Sequence, residues 1–158
     1  PASADMGAVE DRLAALGLTV QDVVPPVAAY VPAVRTGSYV YTSGQLPFVD
    51  GVLQETGKVG AEVTPERAAE LAQLCALNAI AAVKSVVPLD TVVRVVKVVG
   101  FVASAPDFTG QPGVINGASN LLLQAIGEIG AHARSAVGVA VLPLDAPVEV
   151  ELVVEVAG

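Results

Sequence analysis

The run from Thr91 to Ala103, TVVRVVKVVGFVA, constrains the rest of the chain more than any other segment. Valine is β-branched; it loses little by lying on a pleated surface and fits a helix less well, so the run reads as a strand. Arg94 and Lys97 are three apart, which sends them to opposite faces of an ideal strand, and the rest of both faces is apolar. A strand of that kind is covered on both sides. The fold must therefore bring helices to one face and something else to the other.

The helices are legible on either side of it. Thr64-Pro65-Glu66 is a helix start: Thr64 caps, Pro65 suits the first helical position, and Glu66 faces the positive end of the dipole. Apolar residues then recur at Ala68, Leu71, Ala72, Cys75, Ala79, Ala82, Val83 and Val86, a single stripe that ends before Pro88. A second helix is expected from about 113 to 127, using Val114, Leu121, Leu122, Ala125 and Ile126. Strands are expected from Tyr30 to Val34 and from Ser38 to Ser43, joined at Thr36-Gly37, and again from Arg134 to Leu142 and from Val148 to Val156. Asp50-Gly51 marks a further turn. Before these lie a loose tail from Pro1 to Gly7, a short amphipathic helix from Val9 to Leu18 with Leu13 and Leu16 at helical spacing and Gly17 as its stop, and an extended stretch at Pro25-Pro26. The order strand, strand, helix, strand, helix, strand, strand gives an α+β sandwich. Two helices cover one face, and the other is left for further copies of the chain.

Composition agrees. At 158 residues, one domain with one core is expected, burying roughly 70% of the unfolded surface. Hydrophobic residues make up 53% and charged residues 15%, with a mean hydropathy of +0.64, so apolar surface must be hidden somewhere, and self-association is the simplest means. The net charge of −8 makes nucleic acid a poor partner. One Cys excludes an internal disulfide, and one Cys with one His cannot furnish a Cys/His zinc site. No apolar run has the length of a membrane span, and Asp5, Glu10 and Asp11 with no basic leader argue against a signal peptide; a cytoplasmic location is the default expectation.

Few residues offer chemistry. On Arg134–Leu142, alternation groups Arg134 with Ala136, Gly138, Ala140 and Leu142, small residues beside one guanidinium. Such an arginine suits a carboxylate; it equally suits a structural ion pair. Glu149, Glu151 and Glu155 share one face of the last strand, ordinarily a wet face, although a buried carboxylate there could move protons. His132 precedes a strand, and Ser135 beside it lacks the setting of a catalytic nucleophile. Cys75 sits on the helical stripe and reads as core. Gly57-Lys58-Val59-Gly60 lacks the spacing and hydroxyl of a phosphate loop. Tyr39, Tyr41 and Ser43 share parity and so one face, while Asn116 is either solvated or a ligand group.

Taken together, several segments are familiar. Ala29-Tyr30-Val31-Pro32-Ala33-Val34 with Tyr41-Thr42-Ser43-Gly44-Gln45-Leu46-Pro47 resembles the opening hairpin of the Rid (YjgF-type) reactive-intermediate deaminase family. Ala133-Arg134-Ser135-Ala136-Val137, through Leu142-Pro143-Leu144-Asp145, to Val148-Glu149-Val150-Glu151 resembles its closing hairpin. The likeness spans residues 27–156, leaving 1–26 as an N-terminal extension with a short helix and 27–158 as a single domain. It implies a chorismate-mutase-like α+β fold, a homotrimer with clefts between subunits, and hydrolysis of enamines and imines such as 2-aminoacrylate to 2-oxo acids and ammonia, as 2-iminobutanoate/2-iminopropanoate deaminases do. It implies no cofactor and no metal. Residue by residue, it makes Arg134 the carboxylate anchor and Glu149 the partner of the hydrolytic water, with Tyr30, Ser43, Gly44 and Asn116 lining the pocket and Ala136 offering a backbone carbonyl where many members carry cysteine. Gly130-Ala131-His132 replaces the usual aromatic-proline approach, and the loop from Thr109 to Gly113 is longer than in compact members. The alternatives are a non-catalytic protein that binds a small carboxylate for regulation and, behind it, an endoribonuclease or translation inhibitor.

Overall fold

Thr64 caps α2 (Pro65–Lys84): its hydroxyl accepts from the Arg67 N–H at 3.1 Å. The stripe from Ala68 to Val83 is buried as the periodicity requires, and Cys75 lies within it, fully covered. α3 (Gln111–Ile126) packs across α2 so closely that a Cβ on Gly117 would stand 1.9 Å from the Ala69 carbonyl oxygen. α1 (Ala8–Ala15) joins this helical layer. It ends on Gly17 at φ +76°, with Gly17 N–H bonded to Ala14 O and Leu18 N–H to Leu13 O, a left-handed stop that glycine makes at little cost. Val9 and Leu13 face the core; Leu16, expected beside Leu13, is exposed. The computed structural model describes residues 7–23 and 28–158, so the tail at 1–6 and the Pro25-Pro26 segment lie outside the described residues.

The helices lie on a five-stranded sheet in the order β1 (Ala33–Thr36), β2 (Tyr39–Thr42), β7 (Val148–Val156), β5 (Val92–Ala103), β6 (Ala133–Val139). Only β5 and β6 run parallel. Val98, Val150, Leu152 and Val154 are buried beneath the helices. Gly100 leaves room there for Ile115, whose side chain would lie 2.4 Å from a Cβ at that position. β3 (Phe48–Val49) and β4 (Val52–Leu53) form a small separate hairpin around Asp50 and Gly51, both at positive φ.

The expected alternation along β5 is overturned. Arg94 and Lys97 do not lie on opposite faces of β5. The pairing with β7 slips between Val92 and Arg94 and again between Val95 and Lys97, each slip spending one extra β5 residue. Val92, Val95 and Val98, three apart, therefore all reach the core, while Arg94 opposes Glu155 and Lys97 opposes Val153 on the far face. That far face carries Val34, Tyr39, Tyr41 and Val137, all exposed, together with Val99, Phe101 and Val153.

Candidate functional site

The described residues place the chemistry in two separate clusters. The first is a cleft of about 580 Å³ where the end of β2, the β3–β4 hairpin, α2 and the start of β7 meet. β2 leaves the sheet after Thr42 and returns as a bridge from Gln45 to Val150, one residue out of step with the earlier register. The extra residue falls at Ser43-Gly44. Ser43 consequently leaves the face of Tyr39 and Tyr41: its N–H and hydroxyl donate to Pro32 O and Val31 O at 2.8 and 2.6 Å, tying down the strand entry beside Tyr30. Gly44 faces Glu149 so tightly that an added Cβ would lie 2.8 Å from the carboxyl carbon. Asn78 of α2 holds the far wall by donating to Leu46 O and Phe48 O, each at 3.0 Å.

Glu149 is half-buried in this cleft, and none of the described residues donates a hydrogen bond to its carboxylate. Burial first, then the charge of Glu151, raises its pKa above the usual glutamate value. The group is thus disposed to take up and return a proton. Burial likewise, with Glu149 adding, pushes the Cys75 thiol well up, and its Sγ sits 3.6 Å from Val148 O; it is an inert core residue. The other ionisable side chains lining the cleft, apart from Tyr30, are Asp22 and Asp50. Among the described residues no cationic side chain lines it, so one chain's cleft offers no charged anchor for a carboxylate.

The cation stands elsewhere. Arg134 lies on β6, the edge strand, opposite Val98 and hence on the helix side of the sheet. Its Nη1 donates to Asn116 Oδ1 at 2.7 Å and to Ser119 Oγ at 3.3 Å, and its Nη2 to Pro112 O at 3.4 Å. Nε and one hydrogen of Nη2 have no partner among the described residues, which leaves a two-point grip for a carboxylate. Ala136, opposite Gly100, turns its methyl to the core, so only its backbone on the free edge can meet a ligand. Glu149, opposite Phe101, lies on the other face of the sheet and two strands inward, about 10 Å of sheet width away.

Of the residues expected to line a pocket, Tyr30, Gly44 and Glu149 stand in the cleft, whereas Ser43 does not line it and spends its hydroxyl on Val31 O; Asn116, Arg134 and Ala136 fall together at the β6 edge. The sequence reading did not name Ser119, although Asn116 and Ser119 at i, i+3 share a helix face. Nor did it place Asp22, Asp50 or Asn78 at a site: Asp50 shows only as a turn residue, and the other two carry no local signal. Lys58, in the discarded phosphate-loop look-alike, pairs with Asp145. Among the described residues no group of three or more His, Cys, Asp or Glu could hold a metal, and no helix is long and apolar enough to cross a membrane.

The model of the protein family described as "YjgF/chorismate mutase-like, putative endoribonuclease" matches residues 10–156. Among solved structures, Atu1372 from Agrobacterium tumefaciens, a protein of unknown function, is 46% identical with a TM-score of 0.88, over 96% of this chain and 94% of that one. A protein from Shewanella oneidensis MR-1 carrying the same endoribonuclease description is 32% identical with a TM-score of 0.91, over 95% of this chain and 100% of that one. TdcF from E. coli, solved with bound serine, is 25% identical with a TM-score of 0.59, over 84% of this chain and 92% of that one.

Proposed function

The chain belongs to the YjgF/chorismate mutase-like family, and on that premise we propose that it hydrolyses small 2-imino acids, and the enamines that tautomerise to them, to 2-oxo acids and ammonia. The site is composite: the Glu149 cleft of one copy faces the Arg134 edge of the next, in a homotrimer. One observation carries this reading. Each cluster is chemically incomplete alone, an acidic cleft with a proton-transfer group and no cation, and a half-satisfied arginine on an open edge with no base. Serine in the E. coli relative supports a ligand with a carboxylate next to an amino-bearing carbon.

The chemistry balances without a cofactor. Nε and Nη2 of Arg134 hold the substrate carboxylate, each charged hydrogen bond contributing about 1.5–3 kcal/mol. Water adds to the imine carbon while Glu149 accepts its proton. With the imine entering protonated, Glu149 returns that proton to the nitrogen of the resulting carbinolamine. The C–N bond then breaks as the hydroxyl gives up its own proton, and ammonia departs with that proton, leaving a 2-oxo acid. Holding water against the bound imine contributes through orientation, and the carboxylate base about 10²–10⁴-fold. Purified protein is expected to accelerate ammonia release when an amino-acid oxidase or dehydratase generates the imine, with Arg134→Ala losing most of that acceleration. Binding of 2-oxobutanoate without turnover on any imine would instead make it a carboxylate-binding protein, and Arg134→Ala as active as wild type would remove the proposed anchor.

A further inference from the structure

His132 is the chain's lone histidine and stands two residues before Arg134. Its Nδ1 lies 2.5 Å from Gly130 O and its Nε2 lies 2.8 Å from Ser119 Oγ. A carbonyl only accepts, so Nδ1 carries the hydrogen, and in the neutral ring Nε2 is then an acceptor. The Ser119 hydroxyl must therefore donate to Nε2. Its oxygen is left to accept, and Arg134 Nη1 is 3.3 Å away. With the ring neutral, the directions of this relay follow: Arg134 to Ser119, Ser119 to His132, His132 to the Gly130 carbonyl. Asn116 takes the other Nη1 hydrogen at 2.7 Å.

We propose that His132 and Ser119 are positioning residues for Arg134. By orienting the Ser119 hydroxyl, His132 turns a lone pair toward Nη1 and adds a third restraint, beside Asn116 Oδ1 and Pro112 O, on the rotation of the guanidinium. Nε and the remaining Nη2 hydrogen are then presented together before a carboxylate arrives. The inference rests on the composite-site reading, because it is the anchor of that site that is held. Ser119 is buried, so the hydroxyl at the centre of the relay is shielded from water, while His132 and Arg134 are partly exposed.

The experiment has two arms. In the first, long-range proton–nitrogen NMR of the single histidine reads its tautomer with no assignment needed. The hydrogen is expected on Nδ1; a hydrogen on Nε2 overturns the relay, whatever the protein binds. In the second, calorimetry with 2-oxobutanoate and imine kinetics compare wild type with His132→Phe, Ser119→Ala, His132→Gln and Arg134→Ala. His132→Phe and Ser119→Ala should weaken binding and raise KM about fivefold to tenfold with kcat little changed. His132→Gln, whose amide oxygen can accept from Ser119, should recover most of the loss. A merely structural role would lower the active fraction, leave KM alone and gain nothing from glutamine. His132→Phe binding like wild type while Arg134→Ala fails would overturn the inference and leave the proposed function standing. Arg134→Ala binding like wild type would remove the proposed function, with the tautomer still deciding the relay.

Discussion

Replacing Gly44 by alanine separates the geometry of the cleft from the stability of the fold. The new Cβ would lie 2.8 Å from the Glu149 carboxyl carbon, 2.9 Å from Oε2 and 3.1 Å from Cγ. Ordinary carbon contacts begin near about 3.5 Å, so the carboxylate must retreat by roughly 0.5–1 Å. Gly44 is not at positive φ, so its backbone accepts alanine without strain. The displaced group is the far end of a flexible, half-buried side chain, and an off-rotamer turn there costs about 0.5–1.5 kcal/mol. In a chain of this length that lowers Tm by roughly 1–6 °C. Catalysis has less tolerance, since a misplacement of about 1 Å can cost on the order of 100-fold. Gly44→Ala should therefore lose about tenfold to 100-fold in kcat/KM for the imine while unfolding within a few degrees of wild type. Activity within twofold of wild type, with the fold intact, would refute the placement of Glu149 at the reacting carbon.

Other outcomes follow from the same geometry. Gly117→Ala puts a Cβ 1.9 Å from a backbone oxygen of α2, so the two helices must part, and overpacking of this kind should cost about 3 kcal/mol, some 6–12 °C in Tm, far beyond any gain in helix propensity. Equal thermal stability would contradict the helix crossing. Glu149→Gln removes a carboxyl whose pKa is raised in the fold by burial and then by Glu151. Wild type and variant should match below the unfolded glutamate pKa, and as pH rises through the folded value the wild type should lose stability relative to the variant. Urea unfolding at pH 4 and pH 8 checks the sign, and a wild type that gains relative to the variant on going to pH 8 would reverse it. The same variant should lose about 100-fold or more in imine turnover.

How much of this the residues disclosed depended on whether the signal was local. Thr64, Pro65 and the stripe along α2 specify a helix within a few residues of its observed limits, because capping and amphipathic periodicity are properties of one segment. The parity of Arg94 and Lys97 was misread because β-bulges are decided by the pairing of β5 with β7, which no window on β5 contains. Ser43 failed to join Tyr39 and Tyr41 for the same reason, the slip at Ser43-Gly44 being set by the bridge from Gln45 to Val150. The β3–β4 hairpin is too short to show alternation; only its Asp50-Gly51 turn was visible. Arg134, Glu149 and Asn116 could be picked out as polar groups but stayed open between a site role and a structural one; the resemblance alone gave them, and Tyr30, a role, since a lone arginine on a strand has no local mark of function. That Glu149 and Arg134 lie on opposite faces emerged only from the strand registers, Arg134 opposing Val98 and Glu149 opposing Phe101. The Gln21–Val23 stretch, which closes one side of the cleft, has no periodicity to announce it.

The central claim is that neither cluster works without another copy of the chain. Arg134→Ala and Glu149→Gln should each be nearly inactive alone. If they are mixed under conditions that exchange subunits, an intact site needs a native Glu149 from one variant facing a native Arg134 from the other. Random assembly in equal amounts creates that pairing at about one interface in four. The mixture should regain about a quarter of wild-type imine turnover; a mixture as inactive as its components, with subunit exchange verified, would contradict the account.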